Sequence, residues 1–391
     1  MKTPACWWKS TSSVQSFRSA RGRVAAPLLG LFCLSTLAAC GSGSSTHGAF
    51  IGPLNTVSTI ASTVPDNGDV NPYGTAVVPR SIGNLVGGDV LISNFNNSDN
   101  QQGTGTTIVQ VAPNGTVQLF AQLDPAGLPG PCPGGVGLTT ALVVLQTGWV
   151  IVGSLPTSDG TSATAAAGCL IVLNQMGDAV ETLSGSSING PWDMTATEGN
   201  GVATLFVTNV LDGTVAASPD VVNNGTVLRI TLTNPMAGSG NTPQEMTETV
   251  IGSGFGQRTD PAALVIGATG VGIAPSGTLY VADTLNSRIA AISGALSRSG
   301  SAGTGQTVSS GGSLNGPLGL AIAPNGNILT VNSGDGNIVE TAPGGKQVAV
   351  KTLDDTGDPP GAGALFGLAV RPNARAVYFV DDASNQLNLL N

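Results

Sequence analysis

The chain has 391 residues, with 14 basic and 23 acidic side chains and a formal net charge of −9. That balance offers no basic face for nucleic acid. Charged residues are only 9% of the total against 56 glycines. With its Leu, Ile and Val content, this excludes a disordered chain and points to many short strands joined by Gly, Asn, Ser and Thr turns.

The first predicted element is an export signal over residues 1–39. Lys2, Lys9, Arg18, Arg21 and Arg23 form a basic leader without an acid. The apolar stretch behind them, about 24–39, is too short and wrongly flanked for a membrane span. It ends in Leu37-Ala38-Ala39-Cys40-Gly41, which resembles a bacterial lipobox. The resemblance implies cleavage before Cys40, a diacylglyceryl group on its sulfur, and a lipid-anchored protein of the cell envelope. Two or more acyl chains hold a protein firmly, at about 0.8 kcal/mol per buried methylene. Gly41 rather than Asp after the cysteine implies, by the same resemblance, the outer membrane. A plain signal peptide with a chance cysteine is the other reading. Residues 40–49 are a Gly/Ser-rich tether that carries His47, the only histidine. Without the leader's five basic residues, nine remain against 23 acids, a net charge of about −14.

Beyond the tether, apolar runs of four to seven residues recur between turns and fall into groups of four. The groups lie at 74–123, 138–183, 192–251, 270–308 and 319–350. A sixth group, 367–390, has three runs. The run 54–60 stands before the first group without partners, and beside 386–390 it supplies the missing fourth strand. Four segments are copies of one another: Pro275 to Asp283, Pro324 to Asn332, Pro372 to Asp381, and Leu205 to Asn209. Repetition at about 50 residues means a solenoid, propeller or array. The expected fold is therefore all-β: a six-bladed β-propeller of four-stranded antiparallel blades over 50–391. An N-terminal strand pairs with the last blade and removes two bare edges.

Val281-Ala282-Asp283-Thr284-Leu285-Asn286-Ser287-Arg288-Ile289 is similar to the hallmark of NHL repeats, and Gly316-Pro317-Leu318-Gly319-Leu320-Ala321 is similar to their opening. The likeness is good from 267 to 391, fair around Asn71 to Gly74, and weak in blades two and three. The family's Asp–Arg pairing carries over only to Asp283 and Arg288, because Asn332 and Ser154 replace the Asp elsewhere and Asn337 replaces the Arg.

Cys132 and Cys169 are left as an even pair in an oxidising compartment, which predicts a disulfide; two buried free thiols are the alternative. Ligands of such propellers meet the channel mouth where second strands end, here Asn94, Ser154, Asn209, Asp283, Asn332 and Asp381. Those carboxylates and amides suit a hard cation such as Ca²⁺, and they equally suit turns, where Asp and Asn cap their own backbone. Tyr73, Trp192 and Phe366 stand just before inner strands, poised either to stack on a ligand or to pack between blades; Asp193 sits beside Trp192. Related propeller lyases use histidine, absent from 50–391, so their chemistry is not expected. A gluconolactonase-like, divalent-metal-dependent hydrolase remains the alternative, with Asp283, Asn209 and Asn94 as ligands, although no Glu stands on the first inner strand. The preferred expectation is a membrane-anchored propeller without catalytic residues. It binds an envelope protein or glycan through its mouth and the long insertions 96–105, 155–168, 210–224, 252–268 and 295–306.

Overall fold

A computed structural model describes residues 48–391 apart from Ala262. The expected signal peptide over 1–39, Cys40 and His47 lie outside the described residues. Six antiparallel sheets stand in a ring with their first strands at the centre, as the repeat predicts. Blade one runs Val70–Val77, Val90–Asn96, Thr107–Val111 and Val117–Gln122. Blade two runs Leu138–Val144, Val150–Ser154, Cys169–Leu173 and Ala179–Leu183. Blade four runs Ala268–Ile273, Leu279–Asp283, Arg288–Ile292 and Gln306–Ser310. Blade five runs Pro317–Ile322, Ile328–Asn332, Asn337–Thr341 and Gln347–Thr352.

Blade six takes Leu365–Val370, Val377–Asp381 and Gln386–Leu390 from the C-terminal end of the chain, and its outer strand is Val57–Ser62. Val57 pairs opposite Leu390 and Ser62 opposite Gln386, antiparallel. The ring is closed by this strand, which leaves no sheet edge facing its own gap. A second fastening precedes it. The amides of Phe50 and Ile51 donate to the two carboxylate oxygens of Glu340 in blade five, at 2.7 and 2.8 Å. Asn325 and Asn327 donate to the same buried carboxylate.

Both faces of each blade are covered by neighbouring blades. The second and third strands therefore read as continuous apolar runs and not as alternating ones. Between blades one and two, for example, Leu91, Ile108 and Phe120 pack with Leu142, Val152 and Ile171. Outer strands are exposed, as along Val117–Gln122.

Blade three departs from expectation. It runs Pro191–Gly199, Val202–Asn209, Val222–Thr233 and Glu245–Asp260, then turns back through Leu264–Ile266. The stretch 252–268 reads as a connector because of Gly252-Ser253-Gly254, yet it continues the outer strand. Gly225 pairs with Phe255 and Val222 with Gln257, and irregular registers along the hairpin absorb the glycines. Phe255 is fully buried and anchors the extension.

Candidate functional site

The second strands end where the sequence places them, and each end is an elbow into the third strand. In blade four, Asp283 opposes Arg288, whose Nε donates to Oδ2 at 2.7 Å. Asn286 Nδ2 donates to both oxygens of the same carboxylate. The Asp–Arg pairing inferred from the repeat is present. In blade two, Ser154 opposes Cys169, which forms the expected disulfide with Cys132. Ser154 Oγ donates to Gly135 O and accepts from Gly137 N–H. Asn94 donates to Thr63 O and Thr107 Oγ1, and Asn209 accepts from the amides of Asn189 and Gly190. Asn332 donates to Ser313 O and Asp335, and Asp381 accepts from Ser384 N–H.

Each of the six thus bonds within its own blade or to the segment leading into it, and none joins another across the axis. Asn94 Oδ1, Asn209 Nδ2 and Asn332 Oδ1 stay without partners, two acceptors and a donor in three separate blades. Among the described residues, no group of three or more His, Cys, Asp or Glu side chains is placed to hold a metal. The trio Asp283, Asn209 and Asn94 is not assembled into a shared site.

Tyr73, Trp192 and Phe366 do meet. Tyr73 stacks on Phe366 at 3.8 Å and on Phe95 at 4.5 Å between ring centroids. Trp192 lies 6.3 Å from both Tyr73 and Phe366. These rings come from blades one, three and six, so their contact spans the axis and closes this end of the channel. All are buried, and Trp192 Nε1 donates to Val265 O of the blade-three extension, which packs into the same cluster. The expected open mouth is a packed aromatic layer. Three large apolar side chains at equivalent inner-strand starts gain more by stacking on one another than by facing water. Burial, and then the charges of Asp382 and Asp260, hold the Tyr73 hydroxyl well above its ordinary range.

Beyond that layer the inner strands change from buried to half-exposed toward their C-terminal ends. They line a blind cavity of ≈ 380 Å³ that opens at the opposite end of the ring. Asp193 sits on its wall directly after Trp192. Its carboxylate accepts from Val271 N–H of blade four at 3.0 Å and from Met194 N–H at 2.8 Å, so it clamps blade three to blade four. Burial outweighs those two bonds and raises the carboxyl to about 7. Blade contacts elsewhere use hydroxyls for the same purpose. Ser93 donates to Thr139 O between blades one and two, and Thr208 donates to Thr269 O between three and four.

Sequence reasoning missed two acids. Glu340 interrupts the apolar strand Asn337–Thr341, and that interruption was the available signal. Asp382 follows Asp381 at the end of blade six's second strand. Burial, and then Asp381 and Asp354, push its carboxyl up to about 8.

No protein-family model matches the chain, and no curated protein sequence matches it. Solved structures do. A gluconolactonase from Xanthomonas campestris aligns with a TM-score of 0.50 at 12% identity, over 86% of this chain and 97% of that one. A streptogramin B lyase aligns with a TM-score of 0.50 at 13% identity, over the same shares of the two chains. At these identities the likeness is one of fold, because propeller frames host unrelated chemistries.

Proposed function

We propose that this chain is a lipid-anchored, NHL-type propeller of the cell envelope that binds a protein or glycan partner on the loop face above the aromatic layer. The observation that carries the reading is how those loops are tied together. Thr157 of the blade-two loop donates from its amide to Gly103 O and from its hydroxyl to Gln102 O of the blade-one loop. Gln102 in turn donates to Pro261 O in the blade-three extension. Gln257 of that extension donates to Asp212 O in the neighbouring blade-three loop. The result is one continuous polar platform on a rigid ring, which reduces the ordering cost of binding. The Cys132–Cys169 disulfide supports an oxidising compartment, in keeping with the Cys40 lipobox.

Site-specific photo-crosslinking tests this directly. A crosslinker at exposed Asp99 or Ser158 on the platform should capture an envelope protein or glycan, whereas one at Asn200, at the opposite end of the ring, should not. Equal capture at both ends, or none at either, sinks the proposal. Mass spectrometry of the mature N-terminus should find Cys40 acylated, and an unmodified Cys40 removes the anchor.

A further inference from the structure

We propose that the pocket at the seam between blades six and one, lined by Asn71, Asn96, Gln102 and Asp382, binds a hard divalent cation such as Ca²⁺. The cavity measures ≈ 530 Å³ and is distinct from the axial channel.

Its walls offer acceptors that lack donors. Asn96 is 2% exposed, and its Nδ2 donates to Asn100 Oδ1 at 2.7 Å and lies near Asn100 O. Two acceptors fix that amide, because flipping it would set oxygen against oxygen. Its Oδ1 is left buried and unpaired on the cavity wall. Gln102 repeats the arrangement: Nε2 is held by Pro261 O, and Oε1 is buried without a donor. Asn71 is 7% exposed, and its Oδ1 is also unpaired. The carboxylate of Asp382 has no hydrogen bond or ion pair among the described residues, and the charged groups that act on it, Asp381 and Asp354, are both acidic. Native interiors rarely leave so many acceptors unmet in one place. Among the described residues, three of the seven non-glycine residues with left-handed backbone, Asn71, Asn100 and Asn385, line this same pocket.

The repeat explains what is missing. Asp283 to Arg288 in blade four corresponds to Asp381 to Gln386 in blade six. The left-handed residue is Ser287 in one and Asn385 in the other. Where blade four carries Arg288, blade six carries Gln386; where blade four carries Thr284, blade six carries Asp382. The elbow has lost its internal cation and gained an acid, and a cation bound in the pocket would supply the positive charge that Arg288 supplies in blade four. One carboxylate with three amide oxygens is a hard donor set, and the cavity leaves room for waters to complete the six to eight oxygens that Ca²⁺ takes.

Calorimetric titration of CaCl2 into the EDTA-stripped full-length chain in detergent tests the site, with no docking partner present. One ion per chain is expected. Asp382→Asn should weaken binding by about tenfold or more without lowering the metal-free Tm. Asn71→Asp adds a charged oxygen and should tighten binding. The proposal is overturned by no heat and no Ca²⁺-dependent Tm shift at millimolar CaCl2. It is equally overturned if binding is unchanged in both variants, because the ion then sits elsewhere.

Discussion

Blades four and six end their second strands with the same turn and settle its charge in opposite ways. In blade four the Asp283 carboxylate is 1% exposed and meets Arg288 and Asn286, so both of its oxygens have donors. In blade six the equivalent Asp381 faces Gln386, whose side chain accepts from Thr59 of the closing strand, and Asp382 is added beside it. One elbow is self-contained and the other is not. Blade two shows a third solution: Ser154 opposes Cys169, and a covalent bond to Cys132 does what the ion pair does in blade four. The backbone turn tolerates all three, so it is the side-chain pair that decides whether the elbow is structure or site.

Removing the acid from the self-contained elbow should do the most damage. Asp283→Ala leaves the mostly buried Arg288 guanidinium without its counter-ion, bonded only to Thr307 Oγ1 and Thr304 O, and should lower unfolding free energy by about 4 kcal/mol, measured by urea denaturation. A loss below about 1 kcal/mol would show that the blade does not depend on its ion pair. Reducing the Cys132–Cys169 bond, which spans 37 residues, should cost about 3–4 kcal/mol in the chain-entropy model. That makes blade two's covalent elbow and blade four's ionic one comparable in worth.

Asp193 gives the next effect, through pH. Its folded carboxyl titrates near 7, against an ordinary value of 3.8. A raised acid contributes stability that is fully present below its unfolded value and is lost as pH rises through the folded one. Stability should therefore fall between about pH 4 and pH 7, by on the order of 4 kcal/mol at most. Asp193→Asn should flatten that slope, and an unchanged slope in the variant would assign it to other groups. The smallest effect sharpens the comparison itself. Gln386→Arg rebuilds blade four's pairing in blade six and should raise metal-free stability by about 1 kcal/mol while weakening the Ca²⁺ response of the seam.

The architecture was legible in the chain because propeller blades are local. Each repeat carries its own turn residues and apolar runs, and the unpartnered run before blade one had a single gap to fill at 386–390. The Asp283–Arg288 pair was legible through the resemblance of 281–289 to the NHL hallmark. Blade three's extension was not, because Gly252-Ser253-Gly254 has the composition of a connector and only pairing with Val222 to Gly225 makes it strand. The fate of Tyr73, Trp192 and Phe366 was undecidable along the chain. Either a ligand or one another would satisfy three aromatics, and only their approach across the axis from blades one, three and six settles it.

By itself, then, the sequence determined the number of blades and the strand that closes them, because each rests on a periodic pattern that few alternatives satisfy, and it narrowed Cys132 and Cys169 to a disulfide or two buried thiols. Tertiary structure alone decided which end of the channel is shut, that Glu340 holds the chain's N-terminal approach, and that Asn71, Asn96, Gln102 and Asp382 share one pocket. Those residues are up to 311 positions apart, and whether an acceptor finds a donor depends on the three-dimensional surroundings that only ring closure supplies.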